Sequence, residues 1–245
     1  MAYYLLHFQQ LKTNTEMRNI FSLLILFILP SLLDAQVWQT EINDLRDLTY
    51  FTNRNMNDYK VKNNYNDIEG SPFLFDDFKK GEALLKNGNL FKGEFRYDKY
   101  ADQVEFKVKQ GIFWIAYPAH IEYLKIDTTQ LIFIQKNAEQ PDKGSYYIVL
   151  VSGKIQLLLK ESVLLQSAED PKPYVDAQPA KFVNRKNLYY LLDERNTPIR
   201  ISGKKVITNE LSDKSPEISR FIKSNKISYK KEKDLIHLIN YYNSL

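Results

Sequence analysis

The sequence predicts an α+β protein that is mainly β: an antiparallel meander of about ten strands, curled into a sandwich or an open barrel, with C-terminal helices packed on it. Three observations predict it. Apolar and polar residues alternate in short runs between Lys79 and Ile201, and because successive strand side chains point to opposite faces, a two-residue period lines one face with apolar groups. Each run is bounded by Gly, Asn, Asp or Pro, the residues that turn a chain. After Gly203 the period lengthens to that of a helix.

Residues 1–35 read as an export signal. From Met17 the chain runs Met-Arg-Asn, then the apolar stretch Ile20–Leu29, then Pro30 and Ser31-Leu-Leu-Asp-Ala-Gln36. A basic start, a short apolar core and a small residue before a polar one match a secretory signal peptide. A membrane anchor needs roughly 20 consecutive apolar residues, and Pro30 and Asp34 end this run too soon. Ala35 suits the position before the cut, whereas Leu33 is a poor match two residues earlier, so the cleavage bond stays open. Met17 opens a better-formed signal than Met1, and translation is expected to begin there; a long n-region over 1–16 is the alternative.

Residues 36–69 form a polar, asparagine-rich arm in which Ile42, Leu45 and Leu48 are spaced for one short helix. Gly70-Ser71-Pro72 turns into the β domain, expected over 70–203. Its first hairpin is Glu82–Leu85, the turn Lys86-Asn87-Gly88, and Leu90–Tyr97; Asn-Gly is a strong hairpin signal because both residues accept positive φ cheaply. Gln103–Val108 alternates strictly. Gly111–Tyr117, Ile121–Ile126, Leu131–Ile134 and Tyr146–Val151 follow, and Ser152-Gly153 turns the chain into Lys154–Leu159. A Pro-containing loop from Glu169 to Pro179 reads as an excursion over one face. Asn187–Leu192 and Ile199–Ile201 make a last hairpin around Asn196-Thr197-Pro198.

The helical segment is expected over 204–245. Ser215-Pro216-Glu217 reads as a helix start with Ser215 as N-cap and Pro216 at the first helical position. Ile218, Phe221 and Ile222 form its apolar stripe, and Asn225 is a plausible stop. Leu235, Leu238, Ile239 and Tyr242 give the last helix an i, i+3, i+4, i+7 face that must be buried against something.

Composition narrows the chemistry. The 245 residues contain no cysteine, which excludes a thiolate nucleophile, a Cys-based metal site and a lipid-modified N-terminal cysteine, and leaves packing to hold the domain together. The net charge of +4 sits in the last 43 residues, where nine basic residues face five acidic ones; over 36–202 the two signs cancel at 23 each. Basic residues interleaved with acids argue against nucleic acid. Eight glycines and no Gly-rich phosphate loop argue against a cofactor fold.

No residue is assigned a catalytic, cofactor-binding or metal role. His120 and His237 are the histidines after the signal, and neither accompanies a Gly-x-Ser-x-Gly or His-Glu-x-x-His pattern. Asp76, Asp77, Glu82 and Glu69 make the densest acidic group, without the spacing of a calcium loop, and adjacent acids on a strand face opposite ways. The many aromatic residues could stack on sugars but ordinarily fill a pleated core. Trp114, inside Ile112–Ile115, is expected to be buried; Tyr189-Tyr190 and Tyr241-Tyr242 are each expected to split between an inward and an outward ring.

The segments Glu69-Gly-Ser-Pro-Phe-Leu74, Phe78-Lys-Lys-Gly81, Phe95-Arg-Tyr97, Gln103-Val-Glu-Phe106, Ala180-Lys-Phe-Val183, Tyr189-Tyr-Leu191 and Asp234 through Leu245 resemble a family of uncharacterised secreted proteins of Gram-negative Bacteroidetes. The resemblance covers about residues 68–245. It implies a location (periplasm, outer-membrane periphery or outside the cell) and no activity. The expected function is a non-catalytic interaction or structural module of the envelope, meeting another envelope protein. The alternative is a carrier holding a lipid or other apolar ligand inside the curved sheet, with a dry pocket lined by Leu, Ile and Phe and the 169–179 loop near its mouth.

Overall fold

The computed structural model describes residues 39–42, 60–61, 65–141, 143–171, 173 and 176–245. The signal segment, the Met17 start, Leu45 and Leu48 lie outside the described residues. The strands are β1 (Gln39–Glu41), β2 (Lys79–Leu85), β3 (Leu90–Asp98), β4 (Gln103–Val108), β5 (Gly111–Trp114), β6 (Ile121–Ile126) and β7 (Thr129–Gln135). They continue as β8 (Gly144–Val151), β9 (Gln156–Lys160), β10 (Val163–Gln166), β11 (Lys181–Asn184), β12 (Leu188–Leu192) and β13 (Ile199–Arg200).

The main sheet runs β13-β12-β9-β8-β7-β6-β2-β3-β4-β5, antiparallel along this path and open at both ends; β1 joins it parallel to β3. The expected single meander is two meanders, β2–β5 and β6–β9, because β6 returns to the far edge of β2. That return forces the sheet to coil. On a flat sheet β5 and β6 would lie about 19 Å apart, at about 4.8 Å per strand. Only Ile115–His120 joins them, and half of that link is the compact 3₁₀ turn Pro118–His120. Register shifts at Leu84/Leu85 and Val149/Val151 add local bends.

Coiling wraps one apolar face around itself. Phe95, Phe106, Leu124, Ile126 and Leu131 are fully buried there, together with Tyr146 and Leu159 from the other end of the sheet. The same face continues under three helices, α1 (Lys204–Glu210), α2 (Ser215–Ser224) and α3 (Glu232–Asn243). Leu157, two residues from Leu159 and so on its face, packs with Val151 and Leu191 against Ile207, Leu211, Ile218, Leu235, Leu238 and Ile239. Leu150 and Tyr189 touch both groups, which makes the interior continuous. The face of α3 is the one its spacing predicts: Leu235, Leu238, Ile239 and Tyr242 are buried. Asn243 then locks α3 to the β8–β9 turn. Its Nδ2 donates to Ile155 O (2.9 Å) and Ser152 O (3.3 Å), and its Oδ1 accepts from Ile155 N (3.0 Å). Gly153 sits in this turn at φ +147, where a Cβ would meet the Asn243 side chain at 2.4 Å.

Several expectations need correction. Ser215 is not an N-cap: it is helical (φ −51, ψ −44), Lys214 holds the cap position without a side-chain bond, and the preceding 3₁₀ turn Ser212–Lys214 runs straight into α2. Asn225 does end that helix. Helix α1 and the antiparallel ribbon β10–β11 are additions; the ribbon brackets the Pro-containing loop through four-residue strands too short to show a period. Ile42 itself extends β1, donating to Lys92 O (2.8 Å) and packing beside Gly93. Glu69 bridges to β11 of the ribbon and Lys60 to β5 of the main sheet, so described parts of the asparagine-rich segment pair with strands. Trp114 is only half-buried, because the alternation that turns Phe113 and Ile115 inward turns Trp114 to the other face. Tyr189 and Tyr190 do face opposite ways, but both are half-buried, since a second small cluster of Ile134, Leu158 and Leu192 covers the reverse face beside Tyr190.

Candidate functional site

The end of the β3–β4 hairpin is where the coiled sheet meets itself, and it does so through polar groups. Asp98, only 2% exposed, builds the turn: its Oδ1 accepts from the Tyr100 and Ala101 amides (2.8 and 2.9 Å) and its Oδ2 from Tyr65 OH (2.9 Å). This sets Asp102 at φ 55, a left-handed conformation that a short polar side chain tolerates better than most. Asp102 Oδ1 accepts from Tyr97 OH (2.8 Å), from the Tyr146 amide on β8 (3.2 Å) and from Lys160 Nζ on β9 (2.6 Å). Lys160 Nζ also donates to Tyr97 OH and Tyr146 O, both at 3.0 Å, and lies 5.7 and 5.6 Å from the ring centres of Tyr97 and Tyr147. The ammonium is thus fully engaged by two oxygen acceptors, a carboxylate and two π faces.

Burial dominates the electrostatics here. It pushes Lys160 below the ordinary lysine range, against the pull of Asp102 in the other direction. It raises the Tyr97 and Tyr146 phenols far above theirs, with Asp102 adding to both. Tyr147 is pushed up to about 12, by desolvation first and then by Tyr190 and Asp102. The phenols of this seam stay protonated at any physiological pH.

Above this seam opens a cleft of about 820 Å³. The β3–β4 turn (Ala101–Gln103), the end of β5 with its link (Trp114–Ala116, Pro118), the β7–β8 hairpin (Phe133–Lys136, Lys143–Tyr147) and the β12–β13 turn (Asn196–Pro198) line it. The run Gly111–Tyr117 is a strand only to Trp114, which frees the next residues to form a wall. Trp114 is held from behind: Arg96, Glu105 and Trp114 stand opposite one another across β3, β4 and β5, and the indole hydrogen-bonds to Glu105. Burial raises the Glu105 carboxyl, while Arg96 Nη2 at 2.7 Å and the indole stabilise its charge. Arg96 itself lies 3.6 Å from the Phe73 ring centre and 4.4 Å from that of Phe78. Gly144 is needed on the hairpin wall, because a Cβ there would come within 2.7 Å of the Phe133 ring.

Two polar atoms in the lining residues are buried without a partner among the described residues, Gln103 Oε1 and Tyr146 OH. The three contacts of Asp102 described above go to its Oδ1, and its side chain keeps 25% of its surface exposed.

The residues weighed from sequence lie elsewhere. His120 stacks on Tyr117 and His237 sets its edge on Phe221; both are exposed and neither lines the cleft. Asp76 and Asp77 are exposed in the approach to β2, the Asp76 carbonyl accepting from Arg96, and Glu82 accepts from Tyr123 OH. Glu69 is tied to β11 through its backbone. Among the described residues no group of three or more His, Asp or Glu is placed to hold a metal ion, and no helix is long and apolar enough to cross a membrane. Sequence reasoning passed over Tyr97, Asp102, Tyr146 and Lys160, which come from separate strands and one turn; the legible hint was Asp102 directly before a strictly alternating strand. No family model, no curated protein and no solved structure matches the chain.

Proposed function

We propose that the mature chain is an exported, non-catalytic recognition module of the cell envelope, and that the cleft over the Asp102–Lys160 seam is its recognition surface. One observation carries this reading: the groups beneath the cleft are committed to one another, with Asp102 Oδ1 taking three donors and Lys160 engaged on all sides. Such mutual engagement of Asp102 Oδ1 and the Lys160 ammonium holds the cleft floor in one shape. The packed interior of the coiled sheet supports a module more than a carrier of apolar cargo, since Phe95, Phe106, Leu124 and Leu131 occupy the space a lipid would take. The mixed lining of the cleft, to which no described residue of the 169–179 loop contributes, points the same way. The signal-like segment and the resemblance to secreted Bacteroidetes proteins support a place in the periplasm, at the outer membrane or outside the cell.

The test places a photo-crosslinking amino acid at Lys136 on the cleft rim, with exposed Lys223 on α2 as control, in cells making the full chain. The expected result is an adduct at the Lys136 position alone, in the envelope or extracellular fraction. No adduct above the control, or one confined to the cytosol, overturns the proposal.

A further inference from the structure

We infer that the cleft takes a neutral, hydroxyl-rich ligand, a short oligosaccharide, with a sugar face on Trp114 and its hydroxyls on Asp102 Oδ2 and the amides of Gln103, Gln135 and Asn196. The inference rests on the cleft being the recognition site and adds the chemical class. The volume of about 820 Å³ lies within the range of small-molecule sites, roughly 300–1,000 Å³.

The lining selects among ligand classes by charge and hydrogen bonding. An apolar ligand would bury Asp102 Oδ2 and several amides without partners, which is costly. A cation would compete with Lys160 for Asp102 and face Lys136 and Lys143 across the cleft. An anion could meet those two lysines only at the exposed rim, and deeper in it would meet Asp102 Oδ2. Asp102 is already balanced by Lys160, so its Oδ2 acts as a strong acceptor in a floor without net charge. Hydroxyl groups suit that acceptor and the amides equally, because each donates and accepts. Aromatic rings offer flat apolar faces to the C–H side of a sugar while the indole N–H of Trp114 is spent on Glu105. Thr197 and Ser145 add hydroxyls at the rim.

The experiment uses the full chain carrying Trp38→Phe, which leaves Trp114 as the only tryptophan. Trp114 emission is titrated with neutral trisaccharides built from glucose, mannose, galactose and N-acetylglucosamine, and with the apolar dye anilinonaphthalene sulfonate. The expected result is a saturable change with at least one sugar below 10 mM. Asn196→Gly should weaken it about tenfold, since glycine keeps the left-handed backbone found at that residue (φ 54) and removes only the amide. No response to any sugar at 10 mM, an Asn196→Gly protein that binds as tightly as its parent, or saturable dye binding that quenches Trp114, overturns the inference. A Lys136 crosslink without a sugar response discards the oligosaccharide and leaves the recognition site standing; loss of both discards the site.

Discussion

At one end of the coiled sheet, Leu157 and Leu191 lie under three helices and meet Ile207, Leu211, Leu235, Leu238 and Ile239. At the other, the sheet closes on itself through Tyr97, Asp102, Tyr146 and Lys160. The helical end is apolar and non-directional, so many side chains of similar size would serve it. The polar end is directional: each donor has one acceptor position, and a shift of about an ångström breaks several bonds together. Burying these groups costs desolvation that hydrophobic residues of similar volume would avoid. The comparison therefore assigns stability mainly to the helical end, and the shape of the cleft to the seam.

The largest expected effect is at the helical end. Leu238, with no exposed surface, loses its contacts in Leu238→Ala, at a cost of about 4 kcal/mol in urea unfolding. A cost under about 1 kcal/mol would mean that α3 is not integral to the core. At the seam, Asp102→Ala strands a side chain of Lys160 that is only 14% exposed, for a loss of about 3 kcal/mol. Replacing both partners, Asp102→Ala with Lys160→Met, should recover about 2 kcal/mol of that loss, because no buried charge is then left alone. If the double variant is as unstable as the single one, the seam contributes to stability as much as the helices do.

A smaller effect sharpens the comparison through pH. Tyr97, Tyr146 and Tyr147 keep their protons in the folded state above the ordinary value of 10.0, Tyr147 to about 12. Above pH 10 the unfolded chain releases protons that the folded chain retains, so stability falls as pH rises, through pH 10 to 12 for Tyr147. Lys160 works in the opposite sense: its lowered folded pKa makes stability rise with pH until the ordinary value of 10.5 is passed. Three phenols outweigh one ammonium, and the net expectation is an alkaline decline beginning near pH 10. Tyr97→Phe should cost about 1 kcal/mol at pH 7 and flatten that decline. An unchanged alkaline slope in urea midpoints from pH 7 to 11 would place the responsible groups elsewhere.

How far the sequence could be read follows the same division. Strands are legible where residue type alternates, as with Val104, Phe106 and Val108 against Gln103, Glu105 and Lys107, even though Glu105 is itself buried on the reverse face, and the stripe of α3 is complete in its spacing. The return of β6 to β2 was hidden because alternation marks faces and says nothing about neighbours. Trp114 is misread from sequence because its apolar neighbours suggest a buried run, whereas Glu105 on the adjacent strand and Arg96 on the one beyond set its surroundings. The seam was hidden for a similar reason: Tyr97 and Asp102 stand five residues apart, but Lys160 lies 58 residues beyond Asp102 and meets it only once the sheet has coiled. Periodicity reports burial, and a site made of directional bonds between distant segments leaves no period.

Amide hydrogen exchange on the Asp102→Ala, Lys160→Met protein tests the division most directly. The account predicts that exchange quickens at least tenfold at Ala101–Gln103 and Ser145–Tyr147, around the cleft, while Leu124, Leu131 and Leu238 exchange as in the parent protein. Uniform quickening across the molecule, or protection around the cleft that survives both substitutions, would contradict it.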